Sequence, residues 1–150
     1  MRVFTSAEDV RAAEGGELGS SDWLTITQEQ INTFADATLD HQWIHVDADR
    51  AAQGPFGAPI AHGFLTLSLL SALNAQIYGF DNVKMGINYG LNKVRFPSPV
   101  RVGSRVRSRA RLAEVTEISG GVQLTVESTV EIEGEDKPAC VAEGLTRVLF

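Results

Sequence analysis

The sequence predicts an α+β fold in which an antiparallel β-sheet wraps around one long α-helix. The run FLTLSLLSALNAQIY, from Phe64 to Tyr78, is apolar nearly all the way round, and a helix that is apolar on every side is expected to be buried on every side. The second half of the chain alternates between apolar and polar residues, which is the pattern of strands with one dry face. A sheet is therefore expected to cover the helix.

Capping residues indicate two further helices in the first half of the chain. Ser6 precedes two acidic residues, and a Gly-Gly pair ends the run, which predicts a short helix. Thr27 and Gln30 form a T-x-x-Q capping box ahead of apolar residues at helical spacing, so a helix is predicted from Gln28 to Thr38. Between these helices, the stretch from Leu18 to Ile26 is expected to be a strand.

A long loop is expected between Asp40 and Ala61, because glycine and proline recur through its second half. One turn of helix is predicted within it, from Asp47 to Ala52. Loops of this length are uncommon in compact domains and are often functional. The apolar helix is predicted to follow directly, from His62 to about Tyr78.

Four strands are predicted after the apolar helix, over 85–96, 104–115, 122–134 and 139–150. In the second of them, apolar residues alternate with arginines at 105, 107, 109 and 111. The third follows a hairpin turn at Gly120-Gly121 and alternates apolar residues with glutamates, so arginines and glutamates are expected to lie side by side. The inward sets are Val106, Ala110 and Leu112 in the second strand and Val122, Leu124, Val126, Val130 and Ile132 in the third.

With the strand before the helices, the sheet has about five strands. A sheet curled around a central helix is the hot-dog architecture, which buries one sheet face and leaves the other polar. Two such units commonly pair edge to edge, and this covers the exposed edge strand of each. A homodimer is therefore expected.

Size and composition favour one globular domain over residues 1–150. The chain is 43% hydrophobic, and its net charge of −6 argues against nucleic-acid binding, which depends on clustered Lys and Arg. The residues MRVFTSAEDV contain no apolar run of the signal-peptide kind, so the cytoplasm is the expected compartment. Polar residues interrupt the apolar helix, so no membrane interaction is expected. The single Cys140 lies in an apolar run and is expected to be buried rather than nucleophilic.

All three histidines lie between Asp40 and Gly63, together with several aspartates and glycines. Asp40 and His45 are five residues apart on a loop, so both side chains can point into one pocket, where the carboxylate would orient the imidazole and raise its imidazolium fraction. Such a pair can hold a water molecule and exchange a proton with it, which is general acid and base chemistry. The alternative is an Asp that caps a turn and a surface His.

Gly63 is expected at the amino end of the apolar helix. An N–H group there is free of intrahelical partners, and with the helix dipole it can stabilise an oxyanion. The alternative is that Gly63 allows close packing at the helix start. His62 is similarly open to two interpretations, since it can contact a substrate or hydrogen-bond the loop.

The residue types also allow a metal site and a phosphate-binding site. Asp40, His41, His45 and Asp47 are all potential metal ligands, but their spacing matches no usual zinc pattern, so no metal is expected. The arginine row could bind phosphates of a cofactor, but its strict alternation favours a solvated strand face paired with glutamates.

Three motifs, taken together and in this order, resemble the MaoC-like dehydratases, or (R)-specific (type 2) enoyl-CoA hydratases. They are D-x-x-x-x-H from Asp40 to His45, G-A-P-I-A-H-G-F from Gly57 to Phe64, and R-F-P-S-P-V-R-V-G-S from Arg95 to Ser104. The resemblance extends over most of the chain, from about Thr25 to Phe150. It implies a hot-dog fold, a dimer, and reversible addition of water to a trans-2-enoyl-CoA, giving the (R)-3-hydroxyacyl-CoA.

The resemblance also implies roles for individual residues. Asp40 and His45 would activate the water and return a proton to C2, and the N–H of Gly63 would hold the thioester oxygen. Ser71 matches a position near the catalytic pair where the family often has a hydroxyl, and the acyl chain would lie along the helix that Phe64 begins. No metal or cofactor is implied, since CoA, or a carrier protein in its place, is part of the substrate. A hot-dog thioesterase and a non-catalytic acyl-binding module are the alternatives.

Overall fold

The computed structural model describes all 150 residues and contains eight strands and six helices. In chain order these are β1 (Arg2–Phe4), α1 (Ala7–Ala12), β2 (Glu17–Ser20), β3 (Leu24–Thr25), α2 (Gln28–Thr38), α3 (Trp43–Val46), α4 (Ala48–Ala52), α5 (Gly63–Ser68), α6 (Leu70–Ala75), β4 (Tyr78–Phe80), β5 (Met85–Arg95), β6 (Arg105–Ile118), β7 (Gly121–Ile132) and β8 (Cys140–Leu149).

A six-stranded antiparallel sheet forms the framework of the protein. Its strand order is β2-β6-β7-β8-β5, and the short β3 also pairs with β6. The hairpin predicted between β6 and β7 is confirmed, with Gly120 in the left-handed region at φ 78°. The strands predicted over 85–96 and 139–150 are confirmed to within one residue at each end as β5 and β8.

The predicted faces of β6 and β7 are confirmed. Their inward apolar side chains are all buried, at no more than 3% exposure. On the opposite face, arginines pair with glutamates at 2.8–3.0 Å: Arg105 with Glu133, Arg107 with Glu131, and Arg111 with Glu127. Exposed pairs of this kind each stabilise a protein by about 0–1 kcal/mol, so the buried face contributes more to stability than the charged face.

The strand predicted from Leu18 to Ile26 is divided into β2 and β3. At the break, the hydroxyl of Ser21 replaces a backbone carbonyl as the acceptor for the N–H of Ser108, at 3.0 Å. The same hydroxyl donates to the carbonyl of Asp22. The N–H of Ser21 still donates to the carbonyl of Ser108 at 2.9 Å, and the chain then leaves the ladder until β3 begins at Leu24. A side chain that competes with the backbone for hydrogen bonds is the physical reason for the break.

The helices predicted from their caps are confirmed. The hydroxyl of Ser6 accepts from the N–H of Asp9 at the start of α1, and the hydroxyl of Thr27 accepts from the N–H of Gln30 at the start of α2. The second helix has the predicted bounds, Gln28–Thr38. It ends at Leu39, whose left-handed φ of 63° turns the chain directly into the histidine-rich loop.

The apolar helix differs from its prediction in continuity and in burial. It is split at Leu69 into α5 and α6 and ends at Ala75, after which β4 pairs in parallel with β1. One face is buried, but Phe64 is 70% exposed, and the small residues Ser68, Ser71, Ala72 and Ala75 are exposed on the same side. The sheet therefore covers only one side of the helix. None of the helices is both long enough and apolar enough to cross a bilayer.

Strand β5 forms one edge of the sheet and pairs only with β8. Nearly all of its residues are exposed, including Met85, Ile87, Tyr89 and Leu91 at 39–53%. An edge strand of eleven residues with several large apolar side chains offers free backbone groups and an apolar surface to another chain.

Candidate active site

Asp40 lies just beyond the left-handed end of α2. Its side chain is exposed, and its Oδ1 accepts from the N–H of Gln42 at 3.3 Å, which begins the turn into α3. The turn-capping role considered for this aspartate is therefore present. One carboxylate oxygen can serve the turn while the other remains free to contact a ligand.

His45 lies in α3 and is buried, with 6% of its surface exposed. Its Nδ1–H donates to the carbonyl of Ile60 at 2.7 Å, and Ile60 in turn donates its N–H to Ile44. Gln28 of α2 donates to the backbone carbonyl of His45 at 2.8 Å. These bonds fix the ring and assign the proton to Nδ1, so the Nε2 lone pair is free to accept a proton.

Burial lowers the pKa of His45 below its ordinary value of 6.5. The hydrogen bond to Ile60 opposes this shift, His62 adds to it, and the carboxylate of Asp40 opposes it as the smallest of the four effects. The expected effect of Asp40, which raises the pKa and so the imidazolium fraction, has the predicted direction, but desolvation outweighs it and the net shift of the pKa is downward. At neutral pH His45 is a neutral imidazole with an available acceptor nitrogen.

His62 immediately precedes α5 and is 2% exposed. Its Nε2–H donates to the backbone carbonyl of Asp40 at 3.0 Å, which ties the loop to the helix start across 22 positions. Its ring stacks on that of His45, with centroids 3.8 Å apart and planes inclined by 24°, and also contacts Phe34. The loop-bonding interpretation of His62 thus has direct structural support. Its Nδ1 is buried without a hydrogen-bond partner.

The fold brings Asp40, His45 and His62 together. A carboxylate oxygen and one ring nitrogen from each histidine all lie within 4.8 Å of one another. The two imidazole rings are stacked in nearly parallel planes. An ion bound to a nitrogen of one ring, in the plane of that ring, would therefore lie well outside the plane of the other ring. The arrangement therefore suits a proton-transfer pair with a supporting ring better than a shared ion.

The metal set weighed from the sequence is not assembled. His41 pairs with Asp36 at 2.8 Å on the surface, and Asp47 caps α4 by accepting from the N–H of Arg50 at 3.0 Å. Each therefore has a local partner of its own, away from the His45 ring.

Gly63 begins α5, and its N–H makes no hydrogen bond with any protein group. A Cβ at this position would lie 3.1–3.3 Å from ring carbons of Phe96, closer than ordinary contact. Both readings of this glycine are therefore compatible with the structure: the free N–H can meet an anion, and the absent side chain admits the aromatic ring. From the sequence, Phe96 was recognisable only as the end of a predicted strand and as part of the R-F-P motif.

A cavity that is open to solvent on one side lies between the helices α5 and α6 and strands β5, β7 and β8. Its volume is about 600 Å³, and Ser71 lines it together with Leu67, Leu70 and Asn74. Phe64 is not among its lining residues, and neither are Asp40 and His45, which lie nearer the amino end of α5. Of the two substrate-contact residues expected on the helix, Ser71 therefore faces this space and Phe64 faces solvent.

Cys140 has no part in the site. It is fully buried, and burial raises the pKa of its thiol to about 11. The expectation that it is an inert core side chain is confirmed.

Comparison with known proteins gives a consistent result. Residues 9–134 match the family described as MaoC like domain. The chain is 62% identical over 148 residues to 3-hydroxyacyl-thioester dehydratase Z of Mycobacterium tuberculosis (strain ATCC 25618 / H37Rv), with 98% of each chain covered.

Two solved structures share the fold. A monoamine oxidase regulatory protein from Archaeoglobus has a TM-score of 0.82 at 24% identity, over 99% of this chain and 95% of that one, and this likeness shows the fold alone. The (R)-hydratase from A. caviae involved in PHA biosynthesis has a TM-score of 0.69 at 26% identity, over 85% and 93%. The chain therefore has the hot-dog fold and belongs to the MaoC-like family of hydratases and dehydratases, which are hydro-lyases.

Proposed function

We propose that the protein is an (R)-specific enoyl-thioester hydratase, which reversibly adds water to a trans-2-enoyl-CoA to give the (R)-3-hydroxyacyl-CoA. The observation that carries this proposal is the free Nε2 of a neutral, buried His45 beside the carboxylate of Asp40. The names of the relatives, a 3-hydroxyacyl-thioester dehydratase and an (R)-hydratase, support the same chemistry.

The hydrogen bonds of the site suggest how the proton moves. With Nδ1–H committed to Ile60, the Nε2 of His45 accepts a proton from water while Asp40 orients the second O–H group. The oxygen adds to C3, and negative charge develops on the thioester oxygen, where the free N–H of Gly63 donates to it. The imidazolium then returns its proton to C2, so one water is added and nothing is oxidised or reduced.

The remaining site residues have supporting roles in this proposal. Ser71 contributes a hydroxyl to the wall along which the acyl chain lies, whereas Phe64, 70% exposed at the start of α5, can contact a substrate only outside this cavity. His62 acts as a positioning residue, because the only hydrogen bond of its ring goes to the backbone of Asp40. The reaction as written needs neither a metal nor a cofactor, since CoA is part of the substrate.

We also propose a homodimer formed along β5. The free edge of this strand can pair with the same strand of a second copy and so extend the sheet, and the second copy can then close the open side of the cavity that β5 shares with α5 and α6. Ile87→Lys places a charge in that edge and is expected to give a monomer by analytical ultracentrifugation. Val141→Lys is the matched control, because Val141 is similarly exposed, at 42%, on a strand with neighbours on both sides.

A hydration assay tests the enzymatic proposal. Crotonyl-CoA offered to the purified protein should lose its enoyl absorbance while the thioester stays intact. Release of free thiol with the double bond retained would indicate the thioesterase, and binding without turnover would indicate the non-catalytic module. The neutral imidazole paired with Asp40 favours the hydratase, since a carboxylate alone can direct water at a thioester carbonyl.

A further inference from the structure

The floor of the large cavity is polar, although the mechanism proposed above uses none of its polar groups. The hydroxyl of Ser108 donates to the side-chain oxygen of Asn74 at 2.7 Å, and the side-chain nitrogen of Asn74 donates to the hydroxyl of Ser128 at 3.0 Å. Asn74 and Ser128 both line the cavity. The three side chains come from α6, β6 and β7, so the fold assembles this network across the layer between helix and sheet.

These side chains are buried where an acyl chain alone would need only apolar contacts. Ser108 is fully buried and Ser128 is 3% exposed. Burying a hydroxyl without a partner costs about 1–3 kcal/mol, so polar groups are retained in such places only when they are hydrogen-bonded. Each of the three has a partner here, but the direction of the bonds leaves one donor unused.

The unused donor belongs to Ser128. Ser108 gives its hydroxyl hydrogen to Asn74, and Asn74 gives an amide hydrogen to Ser128, whose oxygen is thus an acceptor. The hydroxyl hydrogen of Ser128 has no acceptor among the protein groups. An oxygen atom in the cavity would complete the chain of hydrogen bonds.

Other donors surround the same space. Thr146 and Asn88 line it without side-chain hydrogen bonds to the protein, and Tyr78 closes its far end. Burial raises the pKa of Tyr78, so its phenol keeps its proton, and a side-chain hydrogen bond with Asn74, which lowers the pKa, is the smaller effect. Apolar side chains, among them Leu67, Leu70 and Val126, also line the cavity, so it offers apolar surface to an alkyl chain and, at Asn74 and Ser128, a polar end.

The polar end lies well beyond the reacting carbons. Asn74 follows Gly63 by eleven positions, which corresponds to about 16 Å along a helix at its usual rise. A group that reaches Asn74 and Ser128 is therefore separated from the thioester by several carbon atoms.

We infer that the preferred acyl group carries an oxygen function, a hydroxyl, carbonyl or ether oxygen, several carbons beyond C3, and that Ser128 and Asn74 recognise it. This inference rests on the proposed hydratase function and names the substrate class of that site. A plain alkyl chain fills the same cavity but leaves the Ser128 donor unpaired.

The test compares trans-2-enoyl-CoAs of eight, ten and twelve carbons with their ω-hydroxy counterparts, which place the oxygen at different depths. For the length that fits, kcat/KM for the hydroxylated substrate should exceed that of the alkyl substrate about five- to tenfold, the weight of one hydrogen bond. In the Asn74→Leu variant, the hydroxylated and alkyl substrates should have about equal kcat/KM. Each rate is divided by the same variant's rate with crotonyl-CoA, whose short chain does not reach the polar end.

A second variant separates the loss of substrate recognition from a loss of folding. Asn74→Leu alone leaves Ser108 and Ser128 unpaired, whereas Asn74→Leu combined with Ser108→Ala and Ser128→Ala removes the whole network and is expected to fold. Thr116→Val, which removes an exposed hydroxyl from β6, is the control and should keep the preference.

Three outcomes overturn the inference. They are equal kcat/KM within every pair for the unaltered protein, a preference that survives in the triple variant, and the absence of any turnover with crotonyl-CoA. The last would refute the hydratase function itself and is recognised because no acyl-CoA is hydrated at all. A preference for the hydroxylated chain that is lost in the triple variant supports the inference.

Discussion

Replacement of His62 by phenylalanine separates the positioning of Asp40 from the chemistry of His45. Phenylalanine keeps a flat ring to stack on His45 and to contact Phe34, but it lacks the Nε2–H that donates to the carbonyl of Asp40 at 3.0 Å. We expect kcat for crotonyl-CoA hydration to fall about 10- to 100-fold, since a displacement of a catalytic group by about 1 Å has effects of this size. KM should change little.

The stability of this variant should be nearly unchanged. The lost hydrogen bond costs about 1 kcal/mol, because the freed carbonyl belongs to an exposed residue and can bind water. The same substitution removes the buried Nδ1 of His62, which has no hydrogen-bond partner, and this stabilises the folded protein by a similar free energy. Thermal unfolding should therefore show a small shift in Tm beside a large loss of turnover.

The pH profile of the same variant provides an independent readout. Hydration needs neutral His45, so activity is lost as the pH falls through the pKa of this residue, which lies below 6.5 in the folded protein. His62 contributes to that lowering, so its removal should raise the pKa and move the acid limb of kcat/KM to higher pH. His41→Phe is the control, because His41 is exposed and bonds only to Asp36. A His62→Phe enzyme with kcat within twofold of normal and an unmoved acid limb would refute the positioning role.

Three further changes test individual contacts. Gly63→Ala places a methyl group against the half-exposed ring of Phe96. We expect kcat to fall about tenfold, while the free energy of unfolding measured in urea falls by less than about 1 kcal/mol. Full activity would show that the site does not need the close approach of Gly63 to Phe96. Thr27→Ala removes the cap of α2 and should lower the free energy of unfolding by about 1 kcal/mol, a change that Ser6→Ala should match in α1. Dialysis against EDTA should leave crotonyl-CoA hydration unchanged, because the stacked rings of the site do not suit a shared ion; activity restored only by an added metal would contradict this.

Local patterns accounted for most of the fold. Thr27 and Gln30 fixed the start of α2, and the period of two in β6 and β7 identified the buried face, because caps and alternation act over a few residues. The burial of the central helix was misjudged. A pattern that is apolar all round predicts that the helix is buried, but it does not show that the sheet of the same chain buries only one side of it.

The candidate site was predictable in its residues but not in its geometry. Asp40, His45 and Gly63 stood out through residue type and spacing, whereas the bond from His62 to the backbone of Asp40 joins positions far apart in the chain and depends on how the loop closes. The pKa of His45 could not be read from its neighbour in sequence, because burial by the whole fold outweighs the nearby carboxylate. Asn74, Ser108 and Ser128 come from three elements and meet only in the folded molecule.

The most direct test of the central claim is the hydration of crotonyl-CoA by the unaltered protein and by Asp40→Asn and His45→Gln, with chiral analysis of the product. The proposed mechanism predicts (R)-3-hydroxybutyryl-CoA from the unaltered protein and a fall of about two to four orders of magnitude in kcat/KM for each variant, with folding intact. Near-normal turnover in both variants would show that Asp40 and His45 do not carry the reaction.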